Sequence, residues 1–150
     1  MTSARDRVPP SEARTIEFEI PSDVRFIERV VDAVRSECRL MRFTERHLTL
    51  NVPVALTEAL SNAILRGNRD DRGKSVRITA RVDGVRLVIE VTDEGNGFDF
   101  ATCCVDPTTP ERITHEDGRG LFLMQQLMDS VERMQAGGGN VVRMTLNRAL

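Results

Sequence analysis

An acidic, glycine-rich segment at the end of a predicted strand limits most strongly what this chain can fold into. Apolar and polar residues alternate over 85–92, which predicts a half-buried β-strand. Asp93-Glu94-Gly95-Asn96-Gly97-Phe98 follows at once, a carboxylate with two glycines behind it. Further along, Gly118-Arg119-Gly120-Leu121 lies just ahead of an apolar helical pattern, where free N–H groups and the helix dipole favour an anion. Together, an acid that can read a polar ring and a glycine-rich helix start predict a nucleotide site.

Length and charge exclude several classes of protein. The 150 residues suit one domain with its own core, and the formal net charge of −2 argues against direct nucleic-acid binding, which favours a basic excess. No apolar run approaches the roughly 20 residues that span a bilayer. The first seven residues lack the apolar core of a signal peptide. These observations predict a cytoplasmic protein without a membrane partner.

The three cysteines fit a reducing compartment. Cys38 falls on the apolar side of a helical pattern and is predicted to be a small buried residue. Cys103 and Cys104 are neighbours in an irregular segment and are read as exposed thiols, with a vicinal redox disulfide as the alternative.

Residue patterning predicts a polar, flexible tail over 1–14 and a single domain over 15–150. The domain contains a mostly antiparallel mixed sheet of about five strands, covered on one face by three helices. The Asp83-Gly84 pair favours a hairpin turn, and Gly67-Asn68 is typical of a helix C-cap. The predicted strands are 15–20, 75–82, 85–92, 131–136 and 140–147; the predicted helices begin after Asp23, carry the apolar residues of 54–65, and cover 120–131.

Glu58 and Asn62 are the polar residues of the second predicted helix with the clearest chemical meaning. They are four residues apart and project from one helix face. Asn is unfavourable inside a helix unless its amide has a role. One interpretation is an ordinary surface pair. The other is a carboxylate and an amide oxygen that face a metal–triphosphate, since an amide oxygen suits Mg²⁺.

Three motifs in this order resemble the N, G1 and G2 boxes of the Bergerat-fold (GHKL) ATPases. They are Glu58-x-x-x-Asn62-Ala63, Asp93-x-Gly95-x-Gly97-Phe98 and Gly118-x-Gly120-Leu121. The segment from Gly118 to Asp129 is most similar to the final box of small bacterial anti-sigma factors that are also serine protein kinases. The resemblance implies a two-layer α/β sandwich and ATP with Mg²⁺ as ligands.

The resemblance also implies a role for each residue of the boxes. Asp93 would accept a hydrogen bond from the adenine amino group, and Asn62 would bind Mg²⁺. Glu58 would be the general base. Gly95 and Gly97, with Phe98 beside them, would let the backbone approach the base and permit positive φ. The N–H groups of Gly118, Arg119, Gly120 and Leu121 would hold phosphates.

Other positions have less determined roles. Arg66 is either a phosphate ligand or a solvated charge near the helix end. Residues 99–117 would form an ATP lid, with Arg112 and Arg119 as candidate phosphate ligands. Asn140 stands where many superfamily members have a Thr that helps to bind adenine, so nucleotide binding is expected with altered affinity.

The function that the resemblance implies is an anti-sigma factor and serine/threonine protein kinase. It would phosphorylate a serine of an anti-anti-sigma partner of the STAS fold, hold a sigma factor in its other state, and form a homodimer. The alternative is a non-catalytic ATP-dependent binding switch, and a simple hydrolase is a third reading. The segment from His47 to Pro53 faintly resembles the phospho-acceptor box of histidine kinases. Glu58 follows it too closely to leave room for the separate dimerisation helices that such kinases need. His47 and His115 are therefore expected to have no catalytic role.

Overall fold

The computed structural model describes residues 13–95, 116–136 and 139–149, without the side chains of 116–119 and 136. The predictions for most of the tail, for the loop with Cys103 and Cys104, and for His115 lie outside these residues. The tail was expected to include Arg14, but this residue belongs to the first strand. Arg14 already pairs with Val82 in the sheet, and its guanidinium contacts the carboxylate of Glu37.

Among the described residues, five strands form one sheet in the order β1-β2-β3-β5-β4. Every described strand pairing is antiparallel, whereas a mixed, mostly antiparallel sheet was expected. The predicted strands are all present, with ends that differ by one residue at most. Their bounds are β1 Arg14–Pro21, β2 Ser75–Val82, β3 Arg86–Asp93, β4 Ser130–Ala136 and β5 Gly139–Asn147.

The two faces of the sheet differ because side chains alternate along each strand. Phe18 pairs with Ile78, and Ile78 with Val91, and all three pack into the core. The opposite face carries exposed charges such as Glu17 and Arg81. One face of the sheet is thus apolar and can pack under helices, and the other is polar and exposed to solvent.

In the described part of the chain, three helices cover the apolar face. They are α1 Ile27–Leu40, α2 Val52–Asn62 and α3 Glu116–Leu127, and α2 packs against both of the others. A short 3₁₀ turn precedes α1, with Asp23 accepting the N–H of Arg25 as its N-cap. The two-layer α/β prediction is confirmed.

Helix α3 lies further towards the N-terminus than the predicted 120–131. It begins at Glu116 and ends at Leu127. It cannot continue to Val131 because the Asp129 N–H donates to the carbonyl of Thr145 at 2.8 Å, which brings the chain into the sheet. The first helical turn therefore contains Gly118, and Gly120 lies inside the helix.

Helix α2 is extended at both ends by wide π-helical turns, His47–Asn51 and Ala63–Gly67. Pro53 was expected either in a first turn or at a kink. The wide turn before it solves the steric problem, since a Pro ring clashes with the carbonyl four residues earlier in a regular α-helix. The Val52 N–H accordingly donates to the carbonyl of His47, five residues back.

His47 has a structural contact at the start of this helix. Its N–H donates to Thr44 Oγ1 at 3.1 Å, and its Nδ1 accepts the N–H of Thr44 at 3.3 Å. Partial burial lowers the pKa of His47, which keeps Nδ1 available as an acceptor. The side chains of Thr44 and His47 thus cap each other's N–H groups at the helix start.

The helix over His47–Gly67 is long and apolar enough to cross a membrane by length and composition alone. The prediction that no run approaches this length is therefore wrong. Leu56, Leu60 and Ile64 are fully buried in the core of the domain, which accounts for the apolar composition of this helix. A mostly buried core helix passes the same test.

Cys38 is fully buried in α1, as predicted. Burial raises the pKa of its thiol to about 12. The thiol therefore stays protonated at neutral pH and behaves as a small apolar group.

Leu60 is expected to be among the most costly core positions to truncate. Its side chain is 0% exposed and lies two residues before the end of α2. We expect Leu60→Ala to lower the free energy of unfolding by about 2–5 kcal/mol, measured by urea denaturation. Leu65→Ala is the matched control on the same helix, since Leu65 is 47% exposed; its effect should stay within about 0.5 kcal/mol. Equal losses in both variants would contradict the placement of this core.

Candidate functional site

Asp93 ends β3 as a buried carboxylate, 6% exposed. Its Oδ1 accepts from the Gly95 N–H at 2.9 Å, from Asn140 Nδ2 at 3.1 Å and from the Asn140 N–H at 3.4 Å. Within the described part of the chain, no donor reaches Oδ2. Desolvation raises the pKa of Asp93, and the hydrogen bonds from Gly95 and Asn140 work in the opposite direction. One oxygen is thus saturated with hydrogen bonds, while the described residues leave the other without one.

Asn140 lies directly opposite Asp93 in the β3–β5 pairing and is 1% exposed. Its Nδ2 is used by Asp93, while its Oδ1 is buried and has no hydrogen-bond partner among the described residues. Buried acceptors are seldom left unsatisfied in folded proteins. A site that presents Asp93 Oδ2 and an orphaned amide oxygen fits a ligand with N–H donors, such as the amino group of adenine.

The end of the second helix touches this carboxylate directly. A Cβ atom added to Gly67 would overlap the side chain of Asp93, and one added to Gly95 would overlap the carbonyl of Gly67. Gly95 was expected to permit positive φ, but its φ lies outside the left-handed region. Both glycines are required by close approach of the chain segments.

The helix ends at the predicted C-cap, Asn68, whose N–H donates to the carbonyl of Ala63, and the left-handed residues follow it. Asn68 keeps a right-handed conformation (φ −90°), whereas Arg69 and Asp70 adopt positive φ of 52° and 57°. The Asp70 N–H donates to the carbonyl of Ile64 at 2.7 Å. The chain therefore turns after Asn68. Gly67 and Asn68 themselves pack beside the end of β3 that carries Asp93.

Glu58 and Asn62 lie on the face of α2 that meets α3. A Cβ atom added to Gly120 would lie 2.8 Å from Glu58 Oε2 and 3.5 Å from Asn62 Nδ2. Both side chains are partly exposed, and the described residues offer neither one a hydrogen bond. A carboxylate and an amide therefore remain available beside the first turns of a glycine-containing helix, which supports the phosphate-end interpretation over an ordinary surface pair.

The other predicted site residues are distributed as follows. The N–H of Gly118 lies in the first turn of α3 and has no intrahelical acceptor, while Gly120 and Leu121 lie deeper in the helix. Leu121 is buried in the core, and Arg66 is exposed. The phosphate-binding roles of these residues stay predictions. Gly97, Phe98, Arg112 and the side chain of Arg119 lie outside the described residues.

Sequence reasoning missed Asn68 as part of the site. It interpreted Asn68 as a helix end in a polar connection, but the side chain is fully buried and hydrogen-bonded to residues from three segments. An Asn in a polar stretch carries no sequence signal for burial. Only the packing of α2 against the strand ends shows it.

Replacing Gly67 by Ala is expected to disable the pocket near Asp93. The added methyl would push against a short side chain that three donors hold in place, so the carboxylate must move. We expect nucleotide affinity to fall at least about tenfold, a loss typical of one charged hydrogen bond, measured by isothermal titration calorimetry. Gly73→Ala is the control, since Gly73 is exposed and meets only the tip of Asp71. Equal affinities for both variants would contradict the close approach.

This arrangement defines a class: a two-layer α/β domain with a buried carboxylate at a strand end and an acid–amide pair beside a glycine-containing helix. The sequence matches the histidine kinase-like ATPase domain over residues 20–146. The chain belongs to this family.

Two curated relatives illustrate the similarity. The serine-protein kinase RsbW of Bacillus subtilis (strain 168) is 31% identical over 140 residues, which cover 90% of this chain and 86% of the relative. The anti-sigma F factor of Thermoanaerobacter sp. (strain X514) is 34% identical over 97 residues, covering 63% and 67% respectively.

Solved structures show the same fold. The RsbU and RsbW domains of a Mycobacterium tuberculosis protein superpose with a TM-score of 0.64 at 15% identity, covering 90% of this chain and 32% of that one. The catalytic domain of the histidine kinase ThkA gives a TM-score of 0.55 at 13% identity, covering 90% of this chain and 96% of the other. At these identities the likeness concerns the fold alone.

Proposed function

We propose that this protein is an anti-sigma factor and a Mg-ATP-dependent protein serine kinase that phosphorylates a serine of a STAS-fold anti-anti-sigma protein. Protein serine kinase is the class named for several curated relatives. The observation that carries the proposal is the juxtaposition of Glu58 and Asn62 with Gly120 of α3. It supplies a base and a hard oxygen ligand beside the first turns of α3, whose N-terminal N–H groups favour phosphates.

Each residue has a task in this reaction. Asp93 Oδ2 accepts a hydrogen bond from the adenine amino group, and this bond orients the nucleotide along the face of α2. Asn62 would hold a Mg²⁺ ion, which would supply charge neutralisation on the triphosphate. The free N–H groups in the first turn of α3 donate to phosphate oxygens. Glu58 takes the proton from the attacking serine hydroxyl, so that the γ-phosphoryl group passes to the serine oxygen and ADP is released.

The competing function is an ATP-dependent binding switch without catalysis. Such a switch needs the base pocket around Asp93 and the phosphate-binding helix, but it does not need a general base. The presence of Glu58 beside Gly120 of α3 therefore favours the kinase. The switch remains the second candidate because the same pocket serves both.

We further propose that the protein acts in the cytoplasm as a homodimer and holds a sigma factor when its antagonist is phosphorylated. The relatives' names include both the kinase and the anti-sigma activity. Val24 and Leu40, 48% and 63% exposed at the two ends of the first helical segment, offer apolar surface for a partner. The open face of the sheet is charged, so a contact there would be polar.

The test is a transfer assay with the purified full chain, Mg²⁺ and γ-labelled ATP. The acceptor is the STAS protein encoded nearest to its gene, compared with the same protein in which each candidate serine is replaced by Ala. We expect label on one serine of the STAS protein and none when that serine is Ala. Binding of ATP without any transfer would reject the kinase and leave the switch. Absence of ATP binding would reject both.

A further inference from the structure

Asn68 joins three separate segments through its side chain. It is fully buried. Its Nδ2 donates to Ser22 Oγ at 2.8 Å and to the carbonyl of Ser75 at 2.9 Å, while its Oδ1 accepts the N–H of Glu94 at 2.8 Å. The orientation of the amide follows from these partners, because only the oxygen can accept a backbone N–H. One side chain thus connects the end of β1, the start of β2 and the end of β3.

The bond to Glu94 constrains the residue that binds the base. The Glu94 N–H belongs to the peptide unit that also contains the carbonyl of Asp93, so holding it limits rotation about ψ of Asp93. The Glu94 carboxylate in turn accepts the N–H of Ser75. The backbone that leaves Asp93 is therefore held from two sides.

Asn68 is also continuous with the helix that carries the phosphate end of the site. Its own N–H donates to the carbonyl of Ala63 at 2.8 Å, one residue after Asn62. Gly67, the preceding residue, packs on the Asp93 carboxylate. The chain from Glu58 to Asn68 thereby spans both ends of the proposed nucleotide site.

We propose that Asn68 is a positioning residue for nucleotide binding. It locks the Asp93–Glu94 peptide to the end of the second helix, and so sets the distance between the base-binding carboxylate and the pair Glu58 and Asn62. This rests on the proposed function, since it assumes a nucleotide that contacts both ends. Asn68 does not touch the nucleotide itself.

The test compares two alanine variants that weaken the same hydrogen-bond cluster. Asn68→Ala removes the acceptor for Glu94. Ser22→Ala removes a partner of Asn68 Nδ2 and the bond from Ser22 Oγ to the carbonyl of Lys74, but it keeps the bond to Glu94. Both variants are expected to lower the melting temperature. The readouts are the dissociation constant for ADP by calorimetry and the split between KM for ATP and kcat.

We expect Asn68→Ala to raise the ADP dissociation constant and the KM for ATP at least about tenfold, with kcat changed less than about threefold. Ser22→Ala should leave both binding constants within about twofold of the wild type. Equal changes in the two variants, or unchanged ADP affinity in Asn68→Ala, would overturn the proposal. A wild type that binds no nucleotide would instead reject the proposed function, and the positioning role with it.

A measurement on the wild type covers the case in which Asn68→Ala does not fold. Amide hydrogen exchange should show the Glu94 N–H protected to the level of the central strand β3. Exchange as fast as that of the exposed Gly73 amide would show that Asn68 does not hold this peptide, and would overturn the proposal.

Discussion

Replacement of Glu58 by Gln is expected to remove phosphoryl transfer while nucleotide binding persists. Gln has the same shape but cannot accept the proton of the serine hydroxyl. General-base catalysis contributes typically about 10²–10⁴ in rate, and we expect a loss of kcat in that range. The ADP dissociation constant should change by less than about threefold, because the base pocket around Asp93 is untouched. The measurements are single-turnover transfer to the STAS protein and calorimetry with ADP.

The control for this prediction is Glu17→Gln, the same change on the exposed face of β1. It should leave both transfer and binding at the level of the wild type. If Glu58→Gln transfers label as fast as this control, Glu58 is not the base. If Glu58→Gln loses ADP binding together with transfer, Glu58 serves the fold or the ligand instead.

Asp93→Asn is expected to abolish most of the nucleotide affinity and to stabilise the protein. A hydrogen bond to a charged group contributes about 1.5–3 kcal/mol, so ADP affinity should fall by about one to two orders of magnitude. Burial raises the pKa of Asp93 above its ordinary value of 3.8. The folded state therefore disfavours the carboxylate at neutral pH, and a neutral amide removes that cost. Affinity is measured by calorimetry and stability by urea denaturation.

The raised pKa of Asp93 also determines how the stability of the protein changes with pH. Because the pKa of Asp93 is higher in the folded state than in the unfolded state, the folded protein binds more protons between the two values. The contribution of Asp93 to stability is thus complete below pH 3.8 and is lost as the pH rises through the folded-state pKa. The stability difference between Asp93→Asn and the wild type should appear over that interval and stay at pH 7.

Asp32→Asn is the matched control, since Asp32 is exposed on α1 and its ion pair with Arg35 is a surface one. Its effect on stability should stay within about 0.5 kcal/mol at every pH, and its ADP affinity should match the wild type. Lower stability of Asp93→Asn at pH 7 would show that the hydrogen bonds from Gly95 and Asn140 outweigh the burial of the charge.

Local patterns were sufficient for most of the fold. The period-two alternation of Val85 to Thr92 and the Asp83-Gly84 turn predicted β3 and its hairpin, because these signals depend on residues close in the chain. The ends of helices were predicted less well. Helix α3 stops at Leu127 because Asp129 joins β5, which is a contact between distant segments.

The candidate site divides in the same way. Glu58 and Asn62 could be paired from their spacing, because an α-helix puts residues four apart on one face. Their proximity to Gly120, and that of Gly67 to Asp93, depends on how α2 packs between α3 and the strand ends. Gly95 is an example of what local patterns miss. A glycine was expected there from turn geometry, whereas in the structure a side chain at this position would overlap the carbonyl of Gly67.

Periodicity and short motifs are local properties of the chain, so they were enough to predict the two-layer architecture and the family. The burial of Asn68, the different surroundings of the two Asp93 oxygens and the contact of one helix with both Asp93 and α3 became visible only in the packed structure. The physical reason is that burial and hydrogen-bond partners depend on segments far apart in the chain, which residue order does not specify.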